Sequence, residues 1–186
     1  NRDRIQNHFG DTYRDLEISY VLQEPQLGTG HALLQAEASL GAPFIALNGD
    51  RIIDATLIDA VIDRYHETAN PVMAITRVNE PSRYGVVELD GQTVVGLEER
   101  PHPEQTTSNY INAGVYAFSP DIFAAIRNID THGEQALTDA LTAFIAEQRL
   151  EAVRDRADAR IAVPGAGVEI AVPVVQGAGD RVLSAA

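Results

Sequence analysis

Apolar residues recur along this chain first at the spacing of strands and then at that of helices, and the switching predicts an α/β order. Ile18 to Gln23 reads as a strand, Gly30 to Leu40 as a helix, and Pro43 to Asn48 as a strand apolar almost throughout, as expected where both faces are buried. A helix is predicted from about Ala55 to Thr68, with Leu57, Val61, Ile62 and Tyr65 on its apolar side, and then a strand from Pro71 to Val78. Strands alternating with amphipathic helices imply a mainly parallel sheet with right-handed crossovers and helices on its faces.

The pattern changes after Pro81. Tyr84 to Leu97 holds two β runs joined at Asp90-Gly91, a strong hairpin signal. Tyr110 to Phe118 is then a strand, Pro120 to Arg127 a short helix, and Leu137 to Gln148 a longer one with Leu141, Phe144 and Ile145 on its apolar side. At the start, Ile5 and Phe9 share a helical face and Gly10 stands where a C-cap belongs, so Asn1 to Gly10 reads as the end of a helix. From Asp155 onward short Val and Ile pairs recur irregularly among Gly and Pro. Residues 1–154 are expected to form the folded domain and 155–186 a divergent tail, since one or two repeat-like coils cannot bury a core alone.

Composition narrows the function. The chain has 186 residues, enough for one sizeable α/β core, and a net charge of −13, with all 14 basic residues Arg and no Lys. Nucleic acid is thereby an unlikely partner, because phosphate backbones are held by basic patches and none is visible. A lysine-free acidic chain suits either a salt-adapted, halophilic-like source or plain codon bias. Zero cysteines leave carboxylates and the five histidines as candidate metal ligands. No long apolar run and no signal-peptide pattern is present, so no membrane span is expected and the protein reads as cytoplasmic.

Candidate chemistry gathers in two stretches. Gln23 closes the first strand with an amide that could read a nucleobase edge, and Gly28-Thr29-Gly30 opens a helix whose first turn leaves backbone N–H groups for a ligand. Asn48-Gly49-Asp50 ends the next strand; alone, Asp50 would be read as an Asx-turn or N-cap. Gly28-Thr29-Gly30 is not the Gly-x-Gly-x-x-Gly fingerprint, which argues against a generic dinucleotide fold.

Taken with Tyr84-Gly85-Val86-Val87, Glu99-Arg100-Pro101 and Asn109 to Tyr116, these motifs resemble, in order and spacing, the sugar-1-phosphate nucleotidylyltransferases, over roughly four-fifths of the chain. The resemblance implies a Rossmann-like nucleotide-diphospho-sugar transferase fold, with a mainly parallel mixed sheet and helices on both faces. It implies joining of a nucleoside triphosphate (UTP or dTTP) to a sugar 1-phosphate, with Mg²⁺ as cofactor and a homo-oligomer as a possible assembly. It places Gln23, Gly28, Thr29 and Asp50 at the nucleotide, with Asp50 also holding the metal. Gly85, Glu99, Arg100 and Asn112 then serve the sugar phosphate, and Asp50 and Arg100 carry the catalysis. Arg100 stands where the family more often has Lys. The tail weakly resembles the start of the left-handed β-helix that some members carry. The family opens with a strand and a Gly-rich loop bearing Arg and Lys that grips the triphosphate, and Asn1 to Gly10 does not match it; no Asp loop after Val153 matches a second metal ligand. An N-terminally incomplete, poorly active piece is therefore expected, and a non-catalytic nucleotide-sugar-binding regulatory or subunit protein of the same fold is the alternative.

Overall fold

Residues 2–14, 16–129 and 133–155 are described by the structure, a computed structural model. In chain order the elements are α1 (Arg2–Phe9), β1 (Thr12–Tyr13), β2 (Leu16–Glu17), α2 (Thr29–Gln35), β3 (Phe44–Leu47), α3 (Ala55–Thr68), β4 (Val72–Arg77), β5 (Gly85–Asp90), β6 (Thr93–Glu99), β7 (Tyr110–Phe118), α4 (Asp121–Arg127), α5 (Leu137–Ala146) and β8 (Glu151–Arg154). Residues 156–186, where a tail is expected, lie outside the described residues. Among the described residues no helix is long and apolar enough to cross a membrane.

Alternation at period two decides the layering. In β4, Met73 and Ile75 face a core built with Leu33 of α2, Ile122, Phe123 and Ile126 of α4, and Leu141 and Phe144 of α5. Val72 and Ala74, one residue out of phase, face Leu57 and Val61 of α3. β7 divides the same way, with Tyr116 and Phe118 toward the first core and Ala113, Val115 and Ala117 toward the second. Helices thus cover both faces, as the apolar strands require. α3 starts where Asp54 caps it, its Oδ1 accepting the Thr56 N–H at 2.8 Å. The helix ends at Ala69, which takes a left-handed conformation (φ 54°).

The six-stranded sheet runs β3-β7-β4-β8-β6-β5. The sheet is mixed, as expected, with antiparallel pairs more numerous than the parallel one among the described strands. β3, β4 and β8 do run the same way, but β7 inserts antiparallel between β3 and β4, and β4–β8 is the parallel pair among the described strands. Sequence periodicity reports burial, not which later strand slides between two earlier ones. The hairpin forms as expected, with Asp90 opposite Thr93 and Gly91 at φ 64°. The expected helix over Gly30 to Leu40 stops at Gln35 and continues as a 3₁₀ turn over Glu37–Ser39.

One expected strand is absent. Ile18 to Gln23 has no ladder among the described residues; Val21 and Leu22 are each 51% exposed. A strand exists only against a partner edge, and this segment is tied instead by local bonds, such as Ile18 N–H to Asp11 O at 2.8 Å and Tyr20 hydroxyl to Gly10 O at 2.7 Å. Its apolar pattern alone could not supply the neighbour.

Phe118 is fully buried and touches the Phe44 and Tyr116 rings, with centroids 6.0 and 5.3 Å away. Phe118→Ala leaves a cavity between β7 and α4 and is expected to cost about 3–5 kcal/mol. Urea unfolding should show a lower midpoint at unchanged slope; a midpoint within experimental error of the parent would refute this placement of the core.

Candidate functional site

The glycine turn before α2 is filled by the chain itself. Gly28 sits at φ 101°, and a Cβ there would lie 2.6 Å from the Gln135 carbonyl oxygen and 2.8 Å from Glu134 Cγ. That carbonyl accepts the N–H groups of Gly30 (2.8 Å) and His31 (3.4 Å), while Gln135 N–H donates to Leu27 O (2.6 Å). Thr29 Oγ1 accepts the Leu137 N–H at 2.8 Å. The expectation that the first turn of α2 leaves its donors for a ligand is therefore corrected for Gly30 and His31: the segment leading into α5 crosses the turn and its Gln135 carbonyl takes both N–H groups. Gln23 is likewise engaged, its Nε2 donating to Gly28 O at 2.9 Å and meeting His31 Nδ1 at 3.0 Å. Of the donor and acceptor that a base edge would need, the amide oxygen alone has no such bond.

Across a small cleft from Thr29, Leu33 and Leu137 stand Ala46, Asn48 and Tyr116. Here β7 carries an irregularity, its pairing with β4 shifting between Met73 and Ile75. Gly114 takes φ 77°, where a Cβ would meet Asn48 Nδ2 at 2.6 Å, and Asn48 N–H donates to Gly114 O at 2.8 Å. Asn112 Oδ1 accepts the Gly114 N–H at 2.9 Å, and Asn112 Nδ2 donates to the Tyr116 hydroxyl at 2.6 Å. The strand asparagine that sequence patterning disfavours is thus held by the bulge it helps to make, with one amide proton left over. The Tyr116 phenol is pushed up to about 12, by burial first; the Glu99 charge adds to the rise, while the Asn112 bond and the Arg51 charge oppose it. Glu99 and Arg51 therefore both lie within electrostatic reach of one buried hydroxyl.

Asp50 and Arg51 follow β3. Asp50 Oδ1 is buried without a hydrogen-bond partner among the described residues, and so are Nε and Nη1 of Arg51. The pair faces across 3.7 Å between Nε and Oδ1, attraction without a hydrogen bond. Arg51 was not singled out from sequence, although a charged residue next to a candidate metal ligand is a visible signal.

The sugar-side candidates meet at the open end of the hairpin. Gly85 pairs with Glu99, and a Cβ on Gly85 would lie 2.9 Å from Glu99 Oε1, so the space above Gly85 is occupied by that carboxylate. Arg100, at φ 48°, bonds its N–H to Tyr84 O at 3.0 Å and leaves its side chain exposed. Although solvent reaches Glu99, crowding by surrounding protein raises its carboxyl above the ordinary value. A hydrogen bond with Thr138 and the Arg100 charge pull it back, and the Asp139 charge raises it further. Thr138 and Asp139 begin α5 and were missed from sequence because nothing local links them to a hairpin some forty residues earlier. The structure thus joins Gly85, Glu99 and Arg100 to one another, Asn112 to Tyr116, and Asp50 to Arg51. Gln23 is bonded to Gly28, and Thr29, the next residue, lines the cleft opposite Tyr116.

No group of three His, Cys, Asp or Glu side chains that could hold a metal occurs among the described residues. Asp50 offers one hard, orphaned oxygen, and this fits a Mg²⁺ ion of the kind that takes one or two carboxylates and completes its shell with water and phosphate oxygens.

The chain matches the family model described as nucleotidyl transferase over residues 1–159. It is 38% identical over 155 residues to the bifunctional protein GlmU of Methanococcus maripaludis strain C5, covering 82% of this chain and 36% of that protein. It is 33% identical to the UTP–glucose-1-phosphate uridylyltransferase AglF of Haloferax volcanii, covering 82% of this chain and 65% of that one. The chain thus spans little more than a third of the length of the GlmU relative. A crystal structure of UDP-glucose pyrophosphorylase complexed with UDP-glucose superposes with a TM-score of 0.70 at 25% identity, covering 82% of this chain and 69% of that one.

Because the folded state raises the Glu99 carboxyl above its ordinary 4.5, it favours the protonated form. Glu99 therefore contributes most below that ordinary value, and the contribution is lost as pH rises through the raised one. Glu99→Gln should match the parent in unfolding midpoint at acid pH and exceed it at neutral pH. A midpoint difference that does not change with pH would contradict this.

Proposed function

The chain belongs to the nucleotidyl transferase family, and from that premise we propose that the protein joins a sugar 1-phosphate to UTP or dTTP, giving a nucleotide-diphospho-sugar and pyrophosphate. A phosphate oxygen of the sugar 1-phosphate forms a bond to the α-phosphorus of the triphosphate, and the bond from that phosphorus to the bridging oxygen of the leaving pyrophosphate breaks. No covalent enzyme intermediate is needed, so the protein's part is positioning and neutralisation of charge.

In this scheme Gln23, Gly28 and Thr29 form the nucleotide wall, Gln23 through its free amide oxygen. Gly85, Glu99 and Asn112 receive the sugar, where hydroxyls donate to the Glu99 carboxylate and the uncommitted Asn112 amide proton is free to donate back. Arg100 meets the sugar phosphate as it enters from solvent. Asp50 would hold Mg²⁺, which when bound supplies positive charge to the reacting phosphates. Rigidity comes from β3, whose residues lie between two cores. A cytoplasmic location and a salt-adapted source belong to the same proposal, the first because its substrates are soluble phosphates and the second because of the net charge of −13.

The observation that supports this most is the pair of largely buried charged side chains, Asp50 and Arg51, whose buried polar atoms lack partners among the described residues and which follow Asn48 of the cleft wall at the end of β3. A second reading, a non-catalytic nucleotide-sugar-binding subunit, is favoured by the bonds that Gln135 already makes to the first turn of α2.

Asp50→Asn keeps the size of the side chain and removes its charge. In the full-length protein, Mg²⁺-dependent pyrophosphate release from UTP or dTTP with glucose 1-phosphate should fall by about 10²–10³-fold, the scale of losing one preorganised stabilising group. Circular dichroism should be unchanged. Full activity in the variant would remove Asp50 from the metal role, and absence of any pyrophosphate release in the parent would favour the binding subunit.

A further inference from the structure

The turn after β3 inverts the expected sides of two residues. Arg51 N–H returns to Asn48 O at 3.2 Å, closing the turn; beyond it Ile52 is 78% exposed, whereas the Arg51 side chain is only 13% exposed. An apolar side chain has been put into water and a guanidinium taken out of it. Placement of this kind opposes the hydrophobic effect and the desolvation cost of a charge together, so something other than packing must account for it.

Nor does the surrounding protein satisfy the buried group. Nε and Nη1 have no hydrogen-bond partner among the described residues, and the nearby Asp50 Oδ1, 3.7 Å from Nε, has none either. Native structures rarely leave such atoms unpaired without a function for them. An arginine that faced Asp50 only for stability would close that gap to a hydrogen bond; here Nε and Nη1 stay unpaired though closed from solvent, so an anion must enter the turn to supply the missing acceptors. The positive field of Arg51 reaches the Tyr116 hydroxyl, whose other neighbours are Asn112 and Glu99. Arg100, by contrast, is exposed to solvent, where its charge is screened.

We propose that Arg51, one turn from the cleft residue Asn48, is a buried phosphate receptor: it binds the phosphate group of the sugar 1-phosphate, and Arg100 serves at the entrance. The inference rests on the nucleotidyl-transfer reading for the identity of the phosphate ester, but not for the existence of an anion site. A guanidinium donates to phosphate oxygens with charge-assisted bonds that strengthen where water is excluded, and Arg51 is the desolvated one of the two.

The test is binding of glucose 1-phosphate and of inorganic phosphate, by titration calorimetry, to the full-length protein and to Arg51→Gln and Arg51→Lys. Arg51→Gln should weaken both ligands at least tenfold while circular dichroism stays that of the parent. Arg51→Lys should recover part of the loss. In the unmodified protein the Arg51 Nε–H resonance, assigned by its disappearance in Arg51→Lys, should shift on adding inorganic phosphate, a readout that needs no substituted protein to fold. Unchanged affinity in Arg51→Gln, or an Nε–H resonance that ignores phosphate, overturns the proposal. Arg51-dependent phosphate binding without any UTP binding would keep the anion site and reject nucleotidyl transfer. Pyrophosphate release that persists at full rate in Arg51→Gln would do the reverse.

Discussion

At Gly114 the backbone of β7 enters the left-handed region with no room for a Cβ against Asn48, and most of the site hangs on that contact. The distortion lets Asn48 N–H reach Gly114 O, which ties the end of β3 to β7 just before Asp50 and Arg51. It also turns the Gly114 N–H toward Asn112 Oδ1, leaving the Asn112 amide to hold the Tyr116 hydroxyl. Any side chain at this position would push β3 away and release Asn112 together, so the sheet and the site share a single steric constraint.

Charge placement runs against stability around the cleft. Crowding raises the Glu99 carboxyl above its ordinary value, the Asp50 and Arg51 side chains leave buried polar atoms unpaired, and Tyr116 is closed off from water. Each is a local cost that the two flanking cores offset through burial of residues such as Phe118, Phe123 and Leu141. Costs of this kind gather where a ligand supplies the missing partners. Elsewhere in the fold Glu151 is paired with Arg64 at 2.7 Å, linking β8 to α3, although Arg64 Nε and Thr76 Oγ1 are also buried without a partner among the described residues.

The segment from Glu134 to Leu137 gives the glycine turn a different character from an open anion nest. Gln135 supplies an acceptor to the helix start and a donor to Leu27, and Leu137 closes onto Thr29. Gly28 and Gly30 are small chiefly because this strand-like segment passes over them: a Cβ on Gly30 would lie 2.9 Å from the same carbonyl. The nucleotide wall is thereby coupled to α5, whose first turn also carries the Thr138 that meets Glu99.

The sequence by itself determined the element order from Ala55 to Ala146 almost to the residue, because burial on one or both faces writes its period directly into apolar spacing. It also determined the hairpin at Asp90-Gly91, the helix end at Gly10 and, by resemblance, the family. Tertiary structure decided everything that depends on who stands beside whom. Ile18 to Val21 and Leu22 have a strand's pattern but no described neighbour to pair with; β7 slides antiparallel between β3 and β4; and Gln135 takes the donors of the glycine turn. Arg51 and Thr138 entered the site the same way, through turns and helix starts brought close by the sheet. Periodicity records whether a residue is buried, whereas a hydrogen bond or an unpaired charge depends on the partner, and partners distant in sequence meet only once the chain has folded.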